Sequence, residues 1–382
     1  TPSGPLNHGF DKHVPENWNH CCPPPSGYQA PWEMMEGLEY EEGDYLTDRL
    51  TDEALQYIEQ HKEDPFFLYL SHFAVHDPID GRPDLVEKYE KKFQQMEPVD
   101  IVPFILEENP DDETEFTRDE LNEMLYEPEY RGHSVLPNRI VKVKQVQDNP
   151  EFAAMVETVD ESLGRVLSKL EELGLAENTV VIFFSDNGGM SAANFGNPER
   201  VVQESRLDKA YATSNLPLRG AKGWLYEGGI REPLIVKWPS VSKEGTVCDV
   251  PVISTDFFPT ILDMIDVPVP EDVDLDGVSF APLVRGAESI DREAIYWHFP
   301  HYSNHGMQSP GGAIRCGDYK LLEYFENNTV QLFNLRTDIG EQYDLSETEP
   351  EKARELREML HQWREDINAQ MMPPNPEYSV NR

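Results

Sequence analysis

Residues 179–189 read Thr-Val-Val-Ile-Phe-Phe-Ser-Asp-Asn-Gly-Gly and constrain the fold more than any other stretch. Thr179 through Phe184 are six β-branched or aromatic residues in a row without polar alternation, the pattern of a strand covered on both faces of a parallel sheet. The run then stops in polar residues. Open α/β sheets bind ligands at the carboxyl ends of their strands, so Asp186 and Asn187 fall where a site is expected, and Gly188 and Gly189 let the backbone turn sharply beside it. A carboxylate and an amide carbonyl are hard oxygen donors, suited to Ca²⁺ or Mg²⁺. The same four residues are also what an ordinary turn uses, so the stretch by itself leaves both readings open.

Upstream, Leu46, Leu50, Ala54, Leu55 and Ile58 recur at helical spacing, which predicts a helix over residues 45–62 stopped by Asp64-Pro65. Residues 66–70, Phe-Phe-Leu-Tyr-Leu, read as a buried strand running into Ser71-His72-Phe73-Ala74-Val75-His76-Asp77-Pro78. Two histidines four apart would share a helix face, but Pro78 and the preceding strand argue for a loop. One working histidine, His76, is therefore expected instead of a zinc pair. Residues 84–96 read as a charged surface helix. Residues 98–150 read as a surface insertion, with an acidic run at 107–113 and a basic patch at 139–144 taken as solvated faces. Val156, Val159, Leu163, Val166, Leu167 and Leu170 form a stripe on a helix over 152–173, closed by Gly174, which delivers the chain to the 179–184 strand as half of a right-handed crossover.

After Gly189 comes an irregular loop of roughly 25 residues, a length that usually signals function. It leads into Leu-Arg-Gly-Ala-Lys-Gly-Trp-Leu-Tyr-Glu-Gly-Gly-Ile-Arg-Glu-Pro at 218–233, where glycines interleaved with charges imply close backbone packing. Lys222, between Gly220 and Gly223, is the residue such a loop would present to an anion. A strand at 234–238 and a strand-helix unit at 252–265, with Asp256 and Pro259 near the helix start, complete an α/β domain over 1–285. Residues 286–382 read as a smaller α+β subdomain, with strands near 294–299, 312–325 and 329–334 in an antiparallel sheet and a final helix over 350–370. Trp297, His298, Phe299, His301, Tyr302 and His305 cluster there, suited either to stacking on a sugar ring or to an aromatic hinge.

Composition excludes several roles. With 72 acidic against 32 basic residues the formal net charge is -40, which repels phosphate backbones and anionic bilayer surfaces, so neither nucleic acid nor a membrane is an expected partner. Cys21, Cys22, Cys248 and Cys316 are too few for a disulfide framework in 382 residues. No run of 18 apolar residues occurs, and the first residues carry no apolar signal region.

Taken together, His76-Asp77-Pro78 behind Phe66-Phe67-Leu68-Tyr69, the Ser185-Asp186-Asn187-Gly188-Gly189 turn, and Leu218-Arg219-Gly220-Ala221-Lys222-Gly223 with Glu227-Gly228-Gly229-Ile230-Arg231-Glu232-Pro233 resemble the sulfatase family, the formylglycine-dependent sulfuric-ester hydrolases of the alkaline phosphatase superfamily. The resemblance implies a mostly parallel sheet sandwiched by helices, one Ca²⁺, or alternatively Mg²⁺, on Asp186 and Asn187, and His76 and Lys222 on the substrate sulfate. It further implies a sulfate ester as substrate, with a sulfated carbohydrate favoured and His298 and His301 as candidate sugar contacts. A formylglycine-generating or sulfatase-maturing enzyme becomes an expected partner, and a periplasmic or secreted location follows the same analogy. The family's nucleophile lies in Cys/Ser-x-Pro-x-Arg; Cys22-Pro23-Pro24-Pro25-Ser26 matches three residues but has Ser26 in place of the arginine. The chain is therefore expected to be an N-terminally incomplete, inactive portion of such an enzyme. The alternatives are a phosphatase or phosphodiesterase of the same superfamily and a non-catalytic binding remnant.

Overall fold

A computed structural model describes residues 4–18, 22–97, 101–110, 117–125, 127–130, 132–133, 135–136, 139–192, 211–303 and 305–373. Cys21 and most of the loop after Gly189 lie outside these. The chain divides into two compact units, the first formed by residues 1–101, 147–180 and 208–213, the second by 102–146, 181–207 and 214–382.

In the first unit, helix α3 (Pro150–Glu172) packs against α1 (Leu46–Gln60) and α2 (Pro83–Phe93). Its start is written locally: Pro150 occupies the first turn and Asn149 Oδ1 accepts from the Phe152 amide at 3.2 Å. Gly174, at φ 70°, ends it. The buried face is not the expected aliphatic stripe. Ala154, Met155, Thr158, Ser162 and Leu170 are buried, whereas Val156 is 47% exposed. Small and hydroxyl-bearing residues let the helices approach closely and join their polar groups. Thr51 Oγ1 donates to the Thr47 carbonyl at 2.6 Å, so the 2.7 Å contact between Thr51 and Ser162 must use the Ser162 proton. His72 Nε2 then donates to Ser162 Oγ at 2.9 Å, leaving the buried Nδ1 without a partner. Burial pulls the His72 pKa down to about 4, in keeping with a neutral ring.

Residues 66–70 form no regular element and have no ladder partner among the described residues, and Phe67 and Tyr69 are 57% and 72% exposed. The expected buried strand is thus half-exposed, because none of the described residues pairs with its edge. The preceding irregular segment is anchored through aromatic residues. Trp32, Tyr28 and Tyr45 are buried, Tyr28 Oη donates to the His76 carbonyl at 2.9 Å, and Tyr45 Oη donates to the Asp80 carbonyl at 2.8 Å.

Among its described residues the second unit holds three sheets. In the first, β3 (Ile140–Lys144) lies between β1 (Phe104–Glu107) and β2 (Val135–Leu136), all antiparallel. Every residue of β3 is buried, Lys142 and Lys144 included, so the expected solvated basic patch is an interior strand. Lys142 Nζ donates to the Tyr130 carbonyl at 2.6 Å, and burial pulls its pKa to about 8. In the second sheet, β4 (Val181–Phe184) pairs antiparallel with β5 (Leu234–Lys237). Phe184 is 39% and Ile235 61% exposed, so coverage of β4 on both faces is not found among the described residues. Helix α4 (Phe257–Met264) sets Phe257 against Phe184, ring centroids 4.7 Å apart, and buried Asp256 at its start accepts the Ile253 and Val278 amides.

The third sheet is a four-stranded antiparallel meander of β6 (Ala294–Phe299), β7 (Gly311–Cys316), β8 (Tyr319–Tyr324) and β9 (Val330–Asn334). Gly317 at φ 57° permits the tight turn that divides the expected 312–325 strand in two. Helix α5 (Pro350–Asp366) buries Ala353, Leu356 and Leu360 on Ile314, Leu321 and Leu332, and Trp363 stacks on Tyr296 at 4.8 Å.

Candidate active site

Two glycine-bearing turns of the second unit are bonded into one assembly at the end of β4. The Gly188 amide donates to the Gly229 carbonyl at 3.2 Å, the Lys222 amide to the Gly189 carbonyl at 3.2 Å, and the Gly228 amide to the Arg219 carbonyl at 2.7 Å. Such contact demands glycine: a Cβ on Gly188 would sit 1.9 Å from the Gly228 oxygen, and one on Gly229 would sit 2.2 Å from the Trp224 oxygen. Asn215 fastens the assembly, its Nδ2 lying 2.8, 3.2 and 3.0 Å from the carbonyls of Gly189, Gly220 and Gly228. Asp186, Asn187 and Lys222, chosen from sequence, are thus brought together through their backbones.

Asp186 and Asn187 carry hard oxygens, the donor type that a divalent cation takes. Asp186 is exposed and forms no hydrogen bond or ion pair among the described residues. Asn187 donates from Nδ2 to the Gly188 carbonyl at 3.1 Å, which leaves its Oδ1 as the atom available for a ligand. The half-buried Lys222 side chain likewise has no hydrogen bond or ion pair among the described residues. No group of three His, Cys, Asp or Glu able to hold a metal occurs among the described residues, so this cluster offers fewer than three such groups. Beside Asp186 lies Glu232, whose pKa is raised to about 8 by burial and then by the Asp186 charge.

Charges behind the turns hold them in place. Buried Glu107, assigned from sequence to a solvated acidic run, accepts from Arg219 Nε at 3.0 and 3.1 Å, and the Arg219 guanidinium lies 4.1 Å over the Tyr226 ring. The fully buried Lys320 amine of β8 lies 3.0 Å from Glu227 Oε1 and 2.9 Å from Glu341 Oε1, while Glu341 Oε2 accepts the Glu227 amide at 2.7 Å. Burial pushes the Glu227 carboxyl up, but Lys320, Arg315 and Arg231 bring it net below the ordinary carboxylate value, so it is the ionised partner. Burial dominates at Glu341 and raises it. Neither Asn215 nor this charged node carried a sequence signal beyond the charges and glycines of 218–233; the partners come from distant segments.

His76 belongs to the first unit. Its Nδ1 lies 2.7 Å from the Asp77 carbonyl, which can only accept, so Nδ1 carries the proton. Nε2 faces Cys22 Sγ at 3.7 Å and therefore accepts from the thiol. Sequence excluded Cys22 as the nucleophile and gave no hint of this contact. His298 Nε2 lies 2.8 Å from the Gln370 carbonyl and so donates to it. His301 is exposed, with its ring 3.9 Å from that of Phe299. Of this aromatic cluster His305 comes closest to the glycine-rich turn: a Cβ on Gly223 would lie 2.4 Å from that of His305.

A lysine and hard oxygen donors at the carboxyl end of a strand are the residue types that can receive a tetrahedral anion and a cation. The family follows from comparison. The model described as Sulfatase matches residues 3–267, and that described as N-sulphoglucosamine sulphohydrolase, C-terminal, matches 221–370. The chain belongs to the sulfatase family, whose members generally bind a divalent metal. A sulfatase of Formosa agariphila is 31% identical over 339 residues, covering 84% of this chain and 48% of that protein. The N-acetylglucosamine-6-O-sulfatase of Bacteroides thetaiotaomicron is 27% identical over 241 residues, covering 61% of this chain and 38% of that protein. A solved structure in complex with its substrate D-glucosamine-2-N,6-O-disulfate superposes with TM-score 0.60 at 22% identity, over 88% of this chain and 72% of that one, which establishes the shared alkaline-phosphatase-like fold. The chain spans about half the length of the first of these curated relatives. No helix among the described residues is long and apolar enough to cross a membrane.

Proposed function

We propose that this chain carries the cation-binding and sulfate-binding part of a sulfuric-ester hydrolase acting on a sulfated carbohydrate. The observation that carries the reading is the bonding of the Asp186-Asn187-Gly188-Gly189 turn to the Lys222 turn, which gathers hard oxygens and an unengaged ammonium at one strand end. Asp186 and Asn187 Oδ1 would hold the cation, Ca²⁺ in preference to Mg²⁺ because a flexible, all-oxygen site suits the larger ion. When bound, the ion would neutralise charge on the sulfate oxygens. Lys222 would bind the same anion as a point charge. His76, with Nδ1 protonated and Nε2 an acceptor, would hold or move a proton at Nε2 near the leaving oxygen. His301 is the exposed candidate for a sugar contact, with His305 as the histidine beside the lysine turn. The division at about residue 285 into catalytic domain and C-terminal subdomain, and a periplasmic or secreted location, belong to the same reading.

Cys/Ser-x-Pro-x-Arg does not occur in these 382 residues, and Cys22 lacks the arginine. We therefore expect turnover only in a form extended upstream and co-produced with a formylglycine-generating enzyme. The test compares that form with residues 1–382 on aryl sulfates, aryl phosphates and sulfated sugars. Sulfate release by the extended form alone, lost on Asp186→Ala together with bound calcium, is the expected result. Preferential phosphate release would favour the phosphatase reading, and turnover by the short form that vanishes with Cys22→Ala would restore Cys22 as nucleophile.

A further inference from the structure

We infer that Arg139 is a positioning residue that sets specificity: it holds the exposed ring of Tyr302, on a turn seated against the Lys222 loop, as the surface that meets the sugar of a sulfated carbohydrate. The inference rests on the sulfated-carbohydrate reading above and names part of the sugar side of that site. Sequence alone sets Arg139 in a solvated basic patch, yet its guanidinium is committed to a distant turn. Arg139 Nη2 donates to the Met307 carbonyl at 2.8 Å and to Ser309 Oγ at 2.6 Å, and Asn109 Oδ1 accepts the Ser309 amide at 3.2 Å. Arg139 does this at φ 59°, a left-handed conformation that a long side chain rarely adopts and that persists only where the surroundings over-determine it.

The clamped turn lies on the residues that follow Lys222. The Ser303 amide closes it by donating to the Gln308 carbonyl at 3.0 Å, and Gln308 Oε1 accepts the Leu225 amide. Glycine lets the two segments touch: a Cβ on Gly306 would lie 2.6 Å from the Trp224 ring, as one on Gly223 would meet His305. Tyr302 stands at the base of this turn and is 54% exposed even with the Arg139 guanidinium 5.2 Å over its ring. Its hydroxyl donates to Glu326, so the ring is fixed both at its face and at its far end. An exposed aromatic ring already held in one orientation offers apolar area to the C–H face of a sugar while losing little side-chain freedom on binding. Lys222 then takes the sulfate and Tyr302 the sugar, and the two halves of recognition can be measured apart.

Steady-state kinetics of the upstream-extended, matured enzyme make that separation, with N-acetylglucosamine 6-sulfate and galactose 4-sulfate as sugar probes. The inhibition constant of inorganic sulfate reports the anion pocket without a sugar. Tyr302→Ala should raise KM for the sugar sulfate by about tenfold, the rise falling on KM and not on kcat, while the inhibition constant stays within about twofold. Arg139→Asn, chosen because asparagine tolerates the left-handed backbone, should give the same split at about three- to tenfold. Tyr302→Phe keeps the ring and should stay within about twofold of the unaltered enzyme. Should Arg139→Asn fail to fold, Tyr302→Ala, at an exposed position, carries the test. KM and the inhibition constant rising together would make the turn a mere support of the Lys222 loop, and an unchanged KM in Tyr302→Ala would remove the sugar surface; either overturns the inference and leaves the sulfatase reading standing. A split in Tyr302→Ala that is absent from Arg139→Asn would overturn the role of Arg139. Sulfate released from aryl sulfates but from neither sugar would overturn the inference alone, and no release from any ester would overturn it together with the sulfatase reading.

Discussion

The C-terminal meander and the β4–β5 pair are both antiparallel, yet one is closed and the other open. In the meander, Ile314, Leu321, Leu332, Leu356 and Leu360 are fully buried, because four consecutive strands and the helix that follows cover one another. In β4–β5, Phe184 and Ile235 lie partly in solvent. A sheet built from neighbours in sequence completes itself within about 70 residues, whereas an α/β sheet needs strands from far away along the chain. The proposed site lies at the end of the open sheet, and buried Lys320 of β8 joins the meander to the glycine-rich turn through Glu227.

The contrast can be broken most strongly in the meander. Leu356→Ala or Leu321→Ala should cost about 2–5 kcal/mol through lost burial and a residual cavity, read as a lowered urea midpoint at unchanged slope. A loss under 1 kcal/mol would mean that this core is not the rigid half. Next comes the clamp: Asn215→Ala removes a donor shared by three carbonyls, of which Gly189 keeps the Lys222 amide and Gly220 the Ser191 hydroxyl, and should cost about 1–3 kcal/mol. In the extended enzyme it should also raise KM for the sulfate ester, since Lys222 and Asp186 would no longer be held together; a stability loss without any change in KM would make the clamp purely structural.

The first unit offers a pH test. His72 binds protons less readily folded, near pH 4, than unfolded, near 6.5, so the unfolded chain holds the extra proton between those values. The stability this residue contributes should be complete above pH 6.5 and fall as pH drops towards 4, and His72→Asn should flatten that slope. An unchanged slope would show that another group governs the acid limb. The smallest effect belongs to the open sheet: Ile235→Thr should change the stability of the 382-residue chain by no more than about 0.5 kcal/mol, as expected at an exposed position. The same substitution in an upstream-extended form should cost more if further strands or helices cover it there.

Much of this was legible from residues alone. Helix α3 was marked by Gly174 at its end, and the Asp186-Asn187 turn by the apolar run before it. The face of α3 was not, because Ala154, Thr158 and Ser162 are buried for closeness and hydrogen bonding, which an aliphatic count cannot see. Glu107 looked like one acid among many until Arg219 was found beside it, 112 positions along the chain.

Sequence by itself determined the antiparallel C-terminal sheet, the helix end at Gly174 and the identity of Asp186, Asn187, Lys222 and His76 as candidates, since each is signalled by residues within one or two turns of chain. Tertiary structure alone decided that the Asp186 and Lys222 turns share hydrogen bonds, that Cys22 meets His76, and that Lys142 and Lys320 lie inside. The reason is physical: local conformation follows from steric and hydrogen-bond preferences of adjacent residues, whereas the burial and pairing of a charge depend on which distant segment closes over it.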